Sequence, residues 1–325
     1  FLTGAQALVR VPIVQSRRDK QKKLNTACYI SGYRGSPLGG YDQQILKNKK
    51  YLNENNIYFQ PGINEELAAT SLWGTQQVNL RKQDKYDGVF GIWYGKGPGV
   101  DRAGDALKHV NLAGTSKFGG VIALMGDDHI CESSTTSHQS EFAMIDAMIP
   151  FFNPSGVQEI LDYGIIGIEL SRKSGCWVGI KCVHDNVSSG ATVDLDENRL
   201  NLLDISSETY PSEGLNIRLK DTAQEKEYRL HHHKIKYVKE FCKINNLNKI
   251  IFGSEKAKIG IISTGKSFLD TKLGLEKIGI NENIANQVGI KFLKIAMPWP
   301  LEETVIEKFS ANLEKIIVVE EKRSI

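Results

Sequence analysis

The sequence predicts an α/β protein: a doubly wound parallel sheet, then a smaller α/β unit. Three observations predict it. Short apolar runs rich in β-branched and aromatic residues alternate with helix-length segments as far as Val183, the rhythm of parallel strands joined by crossover helices. Glycine- and proline-rich corners follow several of those runs, marking the ends of elements. The pattern dissolves after about residue 204 and starts again near Lys258.

Residues 4–23 read as helix, with Pro12 a kink or a fresh start, and end in the basic cluster Arg17 to Lys23. Ala27–Ile30 is a buried strand. It runs into Ser31–Gly40, where four glycines and a proline in ten residues exclude a regular element and allow close backbone approach. Leu46–Asn53 is a helix and Ile57–Gln60 the second strand. Pro61 and Gly62 break that strand. Asn64 then reads as the N-cap of a helix over 64–80, with Glu65 and Glu66 in its first turn. Gly88–Tyr94 is the third strand. Gly95–Arg102 after it resembles a phosphate loop, but the G-x-G-x-x-G spacing fails at Val100; it reads as a loop opening a helix over 101–113. Gly120–Met125 is the fourth strand. The loop Gly126–Gln139 holds three acids, two histidines and six hydroxyl or thiol residues. Asn153-Pro154-Ser155 caps a helix over 155–173, and Cys176–Val183 is the fifth strand.

Residues 204–224 read as loop and 223–245 as a helix. Across 218–258 there are eleven Lys or Arg against five Asp or Glu. Tyr228, Ile235, Val238 and Cys242 are its expected buried positions, and the adjacent His231, His232 and His233 point in three directions, so they cannot hold one metal. The second unit follows as strand 259–264, helix 267–277, strand 291–296, helix 301–313 and strand 315–320. Three units result: 1–203, a basic connector 204–257, and 258–325. Phe1 opens the chain within a helix approach and Ile325 ends it just after a strand, so it reads as part of a longer protein or as a processed subunit.

Composition sets the broad class. The 325 residues are 41% hydrophobic and 24% charged, ordinary for a globular protein. A net charge of +3 gives no footing for nucleic acid or membrane. No apolar run spans a bilayer and no signal-peptide pattern is present. The five cysteines include no C-x-x-C, so neither an iron–sulfur run nor a zinc ribbon is expected, and reduced cytoplasmic thiols are.

Glu65 and Glu66 sit where a strand hands over to a helix, the place where ligands bind in open α/β sheets. The bland alternative is that both acids only complement the helix dipole. A metal site from Asp127, Asp128, His129 and His138 matches no dedicated spacing, so no metal is expected.

Several runs occur in the order seen in one known family. They are Gly32-Tyr33-Arg34-Gly35-Ser36-Pro37, Asn64-Glu65, Gly97-Pro98-Gly99-Val100, Lys108-His109-Val110, Gly126-Asp127-Asp128 and Ser133-Ser134. The chain resembles the 2-oxoacid:ferredoxin oxidoreductases, above all the amino-terminal part of the large fused bacterial indolepyruvate ferredoxin oxidoreductases. The resemblance implies a thiamine diphosphate enzyme, with 1–203 its pyrimidine-binding domain and 258–325 its transketolase-C-like domain. It implies that Glu65 is the catalytic carboxylate beside N1′ of the aminopyrimidine. Gly35, Ser36, Pro37, Asn64, Gly97 and Gly99 are then cofactor-facing, and Arg34, His109 and Asp128 lie on the substrate side. Mg2+ and a [4Fe-4S] cluster are expected only in parts absent from this chain. The implied partners are those remaining domains, a second copy, ferredoxin, a 2-oxoacid and coenzyme A. A non-redox thiamine diphosphate subunit of the transketolase or dehydrogenase beta type, or a non-catalytic assembly module, is the alternative.

Overall fold

A computed structural model describes residues 1–81, 84–134, 136–206 and 210–325. Strand β1 (Leu2–Thr3) leads into helix α1 (Gly4–Gln21). The Thr3 hydroxyl accepts from the Gln6 N–H while the Gln6 side chain accepts from the Thr3 N–H, a reciprocal cap that fixes the helix start. The helix runs through Pro12 without a break, so the fresh start expected there does not occur. Packing holds it: Gly164 leaves room for the Val11 side chain. Buried Asp19 also receives both guanidinium nitrogens of Arg172 at 2.7 Å.

Strand β2 (Thr26–Gly32) follows, then helices α2 (Gly39–Lys47) and α3 (Lys49–Glu54) and strand β3 (Ile57–Phe59). Two expectations are corrected here. Gly39 and Gly40 are the first helical residues of α2 rather than loop, and the single helix 46–53 is two helices parted at Asn48. Helix α4 (Glu65–Thr75) is shorter than the 64–80 expected. It ends where buried Gln76 turns inward to bond the Val89 carbonyl and the Ser116 and Gly120 N–H groups. Strand β4 (Gly88–Lys96) runs directly into helix α5 (Gly97–Arg102), then α6 (Gly104–Ala113). The glycine corner 97–99 is therefore a helix start, with Pro98 in its first turn where a missing N–H costs nothing, and not a loop.

Strand β5 (Val121–Asp127), helix α7 (Glu141–Asp146), strand β6 (Phe151–Phe152), helix α8 (Val157–Ser174), strand β7 (Val178–Val183), helix α9 (His184–Val187) and strand β8 (Gly190–Ala191) complete the first unit. The α8 start is fixed by the Ser155 N–H and hydroxyl donating to Glu159, not by Asn153. Strand β8 pairs with β1. The main sheet is parallel in the order β3-β2-β4-β5-β7-β6. After β2 the chain crosses outward to β3, then back past β2 to β4. The topological switch therefore lies between the carboxyl ends of β2 and β4, where open α/β sheets bind ligands. Apolar side chains cover both faces: Ile92 and Tyr94 pack with α1 and α8, and Trp93 with α4 and α6.

Helices α10 (Ala223–Arg229) and α11 (Ile235–Ile244) are joined by the π-helical turn Leu230–Lys234. Strand β9 (Lys249–Phe252), strand β10 (Ile259–Thr264), helices α12 (Gly265–Lys277) and α13 (Glu282–Val288), strand β11 (Ile290–Ile295), helix α14 (Glu303–Ser310) and strand β12 (Lys315–Val319) form the second unit. Its sheet order is β12-β10-β11-β9, with β9 antiparallel. This sheet takes in β9, which lies inside the stretch read as connector. The Phe151 and Asn153 N–H groups bond the Trp299 and Ala296 carbonyls, tying the two sheets together.

Candidate functional site at the sheet switch point

Asn64 has extended backbone, and its side-chain carbonyl accepts from the Leu67 N–H at 2.8 Å. That cap points Glu65 and Glu66 in different directions. Glu65 is 8% exposed. Its backbone carbonyl receives the indole N–H of buried Trp93 at 3.0 Å, which pins the start of α4 to β4. Its side chain runs along Gly95 and Gly99. A Cβ on Gly95 would meet the Glu65 Cγ at 3.4 Å, and one on Gly99 would overlap the carboxylate itself. Among the described residues none donates a hydrogen bond to that carboxylate. Glu66 instead stands 3.9 Å from Arg102 Nε, half-exposed. Only Glu65 faces the switch point.

The neighbouring corners converge on the same edge. The Gly62 N–H donates to the Gly32 carbonyl at 2.8 Å and the Tyr33 N–H to the Tyr94 carbonyl at 3.0 Å. Pro37, after a cis peptide bond from Ser36, and Leu38 lie against Gly126 at the end of β5. Gly35 packs on the side chain of Lys96, and Gly97 on the ring of His138. Arg34 and Ser36 are exposed beside this edge. Arg34 lies near enough to Asp42 to oppose the upward push that burial gives that carboxyl.

The polar loop splits into separate tasks. Asp127 accepts from the Ser140 N–H at 2.9 Å. Asp128 accepts from the Glu132 and Ser133 N–H groups at 3.0 and 2.8 Å. Burial opposes it, but those bonds hold its carboxyl below the usual range. The ring of His129 stands 3.3 Å from Glu321, and that of His138 3.3 Å from Asp101. Among the described residues no three His, Cys, Asp or Glu side chains form a metal-holding group. His109 stands apart, exposed on α6, with its Nδ1 3.0 Å from the Asp105 carbonyl.

The structure thus brings Gly35, Ser36, Pro37, Asn64, Glu65, Gly97 and Gly99 to one sheet edge, with Arg34 and Asp128 at its rim, and leaves His109 outside. Trp93 and Lys96 were not singled out from the sequence, and His138 was weighed there only as a metal ligand. The alternation of β4 marks Trp93 as buried and Lys96 as its terminal residue. Nothing in the sequence pairs His138 with Gly97.

A family model described as an indolepyruvate oxidoreductase domain matches residues 249–325. The indolepyruvate oxidoreductase subunit IorA of Methanothermobacter marburgensis is 23% identical over 325 residues, covering 100% of this chain and 47% of that protein. The IorA subunit of Pyrococcus horikoshii is 25% identical over 331 residues, covering 99% and 45%. Among solved structures, the 2-oxoglutarate:ferredoxin oxidoreductase of Magnetococcus marinus, determined with 2-oxoglutarate, coenzyme A and succinyl-CoA bound, superposes with a TM-score of 0.66. It is 12% identical, over 98% of this chain and 57% of that one. These likenesses support a member of the 2-oxoacid:ferredoxin oxidoreductase family. The chain spans about half the length of the IorA relatives. As in that 2-oxoglutarate:ferredoxin oxidoreductase, the fold is mixed α/β, here built on a six-stranded parallel sheet. Among the described residues no helix is long and apolar enough to cross a membrane.

Proposed function

We propose that this chain is the pyrimidine-binding part of a thiamine diphosphate-dependent 2-oxoacid:ferredoxin oxidoreductase. The substrate is indolepyruvate or another aryl pyruvate, the acyl group goes to coenzyme A, and electrons go to ferredoxin. The observation that carries this reading is Glu65: a buried carboxylate at the switch point, without a donor among the described residues, in space that Gly95 and Gly99 leave clear. A carboxylate in that setting suits a ring nitrogen that brings its own proton. The name shared by the relatives suggests the acid.

Thiamine diphosphate, when bound, supplies the nucleophilic carbon and the electron sink for loss of carbon dioxide. Glu65 holds a proton between its carboxylate and the aminopyrimidine N1′. Trp93 and the Asn64 cap keep that carboxylate in place, and the 33–38 loop covers the edge on the β2 side, where Ser36 meets the substrate. Residues 1–203 form the pyrimidine domain and 204–248 a connector, and the transketolase-C-like domain starts at β9, which joins its sheet, and runs to 325. Mg2+ and a [4Fe-4S] cluster belong to parts beyond this chain, and the enzyme works as a cytoplasmic homodimer. The test is coenzyme A- and indolepyruvate-dependent reduction of ferredoxin by the complete enzyme. Activity that needs added thiamine diphosphate supports the reading; activity without it, on enzyme stripped of the cofactor, removes it.

A further inference from the structure

The family resemblance gave Gly35 to the cofactor. The structure gives its missing side chain a different cause. A Cβ on Gly35 would lie 2.7 to 3.3 Å from Cδ, Cγ and Cβ of Lys96. No positive φ is recorded for Gly35, so backbone strain does not call for glycine there. What calls for it is the lysine stem, which lies across the loop backbone. Lys96 ends β4 at the switch point. It is next to Gly95, against which the Glu65 side chain runs. Successive strand residues point to opposite faces. Lys96 and Glu65 therefore flank the carboxyl end of β4 from two sides, with the 33–38 loop over the lysine side.

Of the neighbouring charges, Arg102 stands by Glu66 and His138 by Asp101, and Arg34 lies towards Asp42. Among the described residues no carboxylate lies within ion-pair distance of Lys96. Its methylenes are held by the loop and its ammonium has no fixed counter-charge, so little side-chain entropy remains to be lost on meeting an anion. We propose that Lys96, seated through the gap left by Gly35, binds the carboxylate of the 2-oxoacid substrate. This deepens the function proposed above and rests on it. The same placement explains why the loop carries glycine directly before Ser36.

The test uses the complete enzyme with indolepyruvate as probe. Lys96→Met should raise KM about 10- to 100-fold, the range of a hydrogen bond to a charged group. The dissociation constant for thiamine diphosphate should stay within twofold, roughly the scatter of such contributions. Lys96→Arg should restore most of the KM, and Gly35→Ala, which displaces the stem, should copy the Lys96→Met defect. Lys96→Gln serves where the Met variant does not fold. An unchanged KM in an active, cofactor-binding Lys96→Met or Lys96→Gln enzyme overturns the proposal and leaves the function standing. Equal loss of thiamine diphosphate affinity also overturns it, because the lysine would then be holding the cofactor. If the wild type binds no thiamine diphosphate, the function falls and the proposal with it.

Discussion

The indole N–H of Trp93 donates to the backbone carbonyl of Glu65 at 3.0 Å, and both residues are buried. A residue near the end of the central strand thereby fixes the first turn of the helix that carries the candidate carboxylate. Trp93→Phe keeps most of the packing and removes that bond. A loss of roughly 1 kcal/mol in folding stability is expected, with a larger fractional loss of turnover. Urea unfolding alongside the ferredoxin-reduction assay checks both. Unchanged turnover would mean that the helix start does not need this anchor.

Gly99→Ala places a methyl group on the Glu65 carboxylate. The obstacle is the end of a flexible side chain, so the carboxylate swings away and the fold survives. We expect a native circular dichroism spectrum with turnover down at least about 100-fold, the scale of one proton-transfer group. A fully active variant would show that Glu65 is not needed where it stands.

Lys234 is buried against the Gly175 carbonyl at the end of α8, and burial pushes its ammonium down to about 8. In the unfolded chain the same group titrates near about 10.5. Between those values the unfolded state binds the extra proton, so stability rises with pH across that window and the charged lysine is a penalty below it. Lys234→Met should flatten the rise and leave the pH 7 stability equal or higher. Thermal unfolding at pH 7 and pH 10 measures it; a steep loss at pH 7 would mean that the bond to Gly175 outweighs the burial.

Glu169, on α8, is buried beside Arg172 and Lys22. Burial raises its pKa, but the two cations more than offset this and leave it below the usual range. A depressed carboxyl contributes stability above its unfolded value and loses it as pH falls through the folded one. Glu169→Gln should lower stability at pH 7 and converge with wild type in strong acid. Parallel curves down to pH 2 would assign the effect to packing.

The alternation of strands and helices, and the Asn64 cap, were legible because each has a local signal. What failed was set by distant contacts. Tyr228 was expected inside but is 59% exposed, while Val238 and Cys242 are buried as expected. The intervening π turn Leu230–Lys234 adds a residue to one turn and rotates the face that the 3.6-residue period assigns. Strand β6 is two residues long and is held by its pairing with β7 and by the bridge from Phe151 to Trp299. The side chains that pack on Gly35 and Gly97, which the resemblance alone put beside the cofactor, have no local signal either. They are Lys96 and His138, far along the chain.

The central claim is that Glu65, and not Glu66, is the carboxylate that serves the cofactor. The direct measurement is indolepyruvate turnover by Glu65→Gln and Glu66→Gln in the complete enzyme, each folded and saturated with thiamine diphosphate. The account predicts a loss of at least about 100-fold for Glu65→Gln. For Glu66→Gln, which only gives up a half-exposed approach to Arg102, it predicts near-normal rates. Near-normal turnover of Glu65→Gln would contradict it.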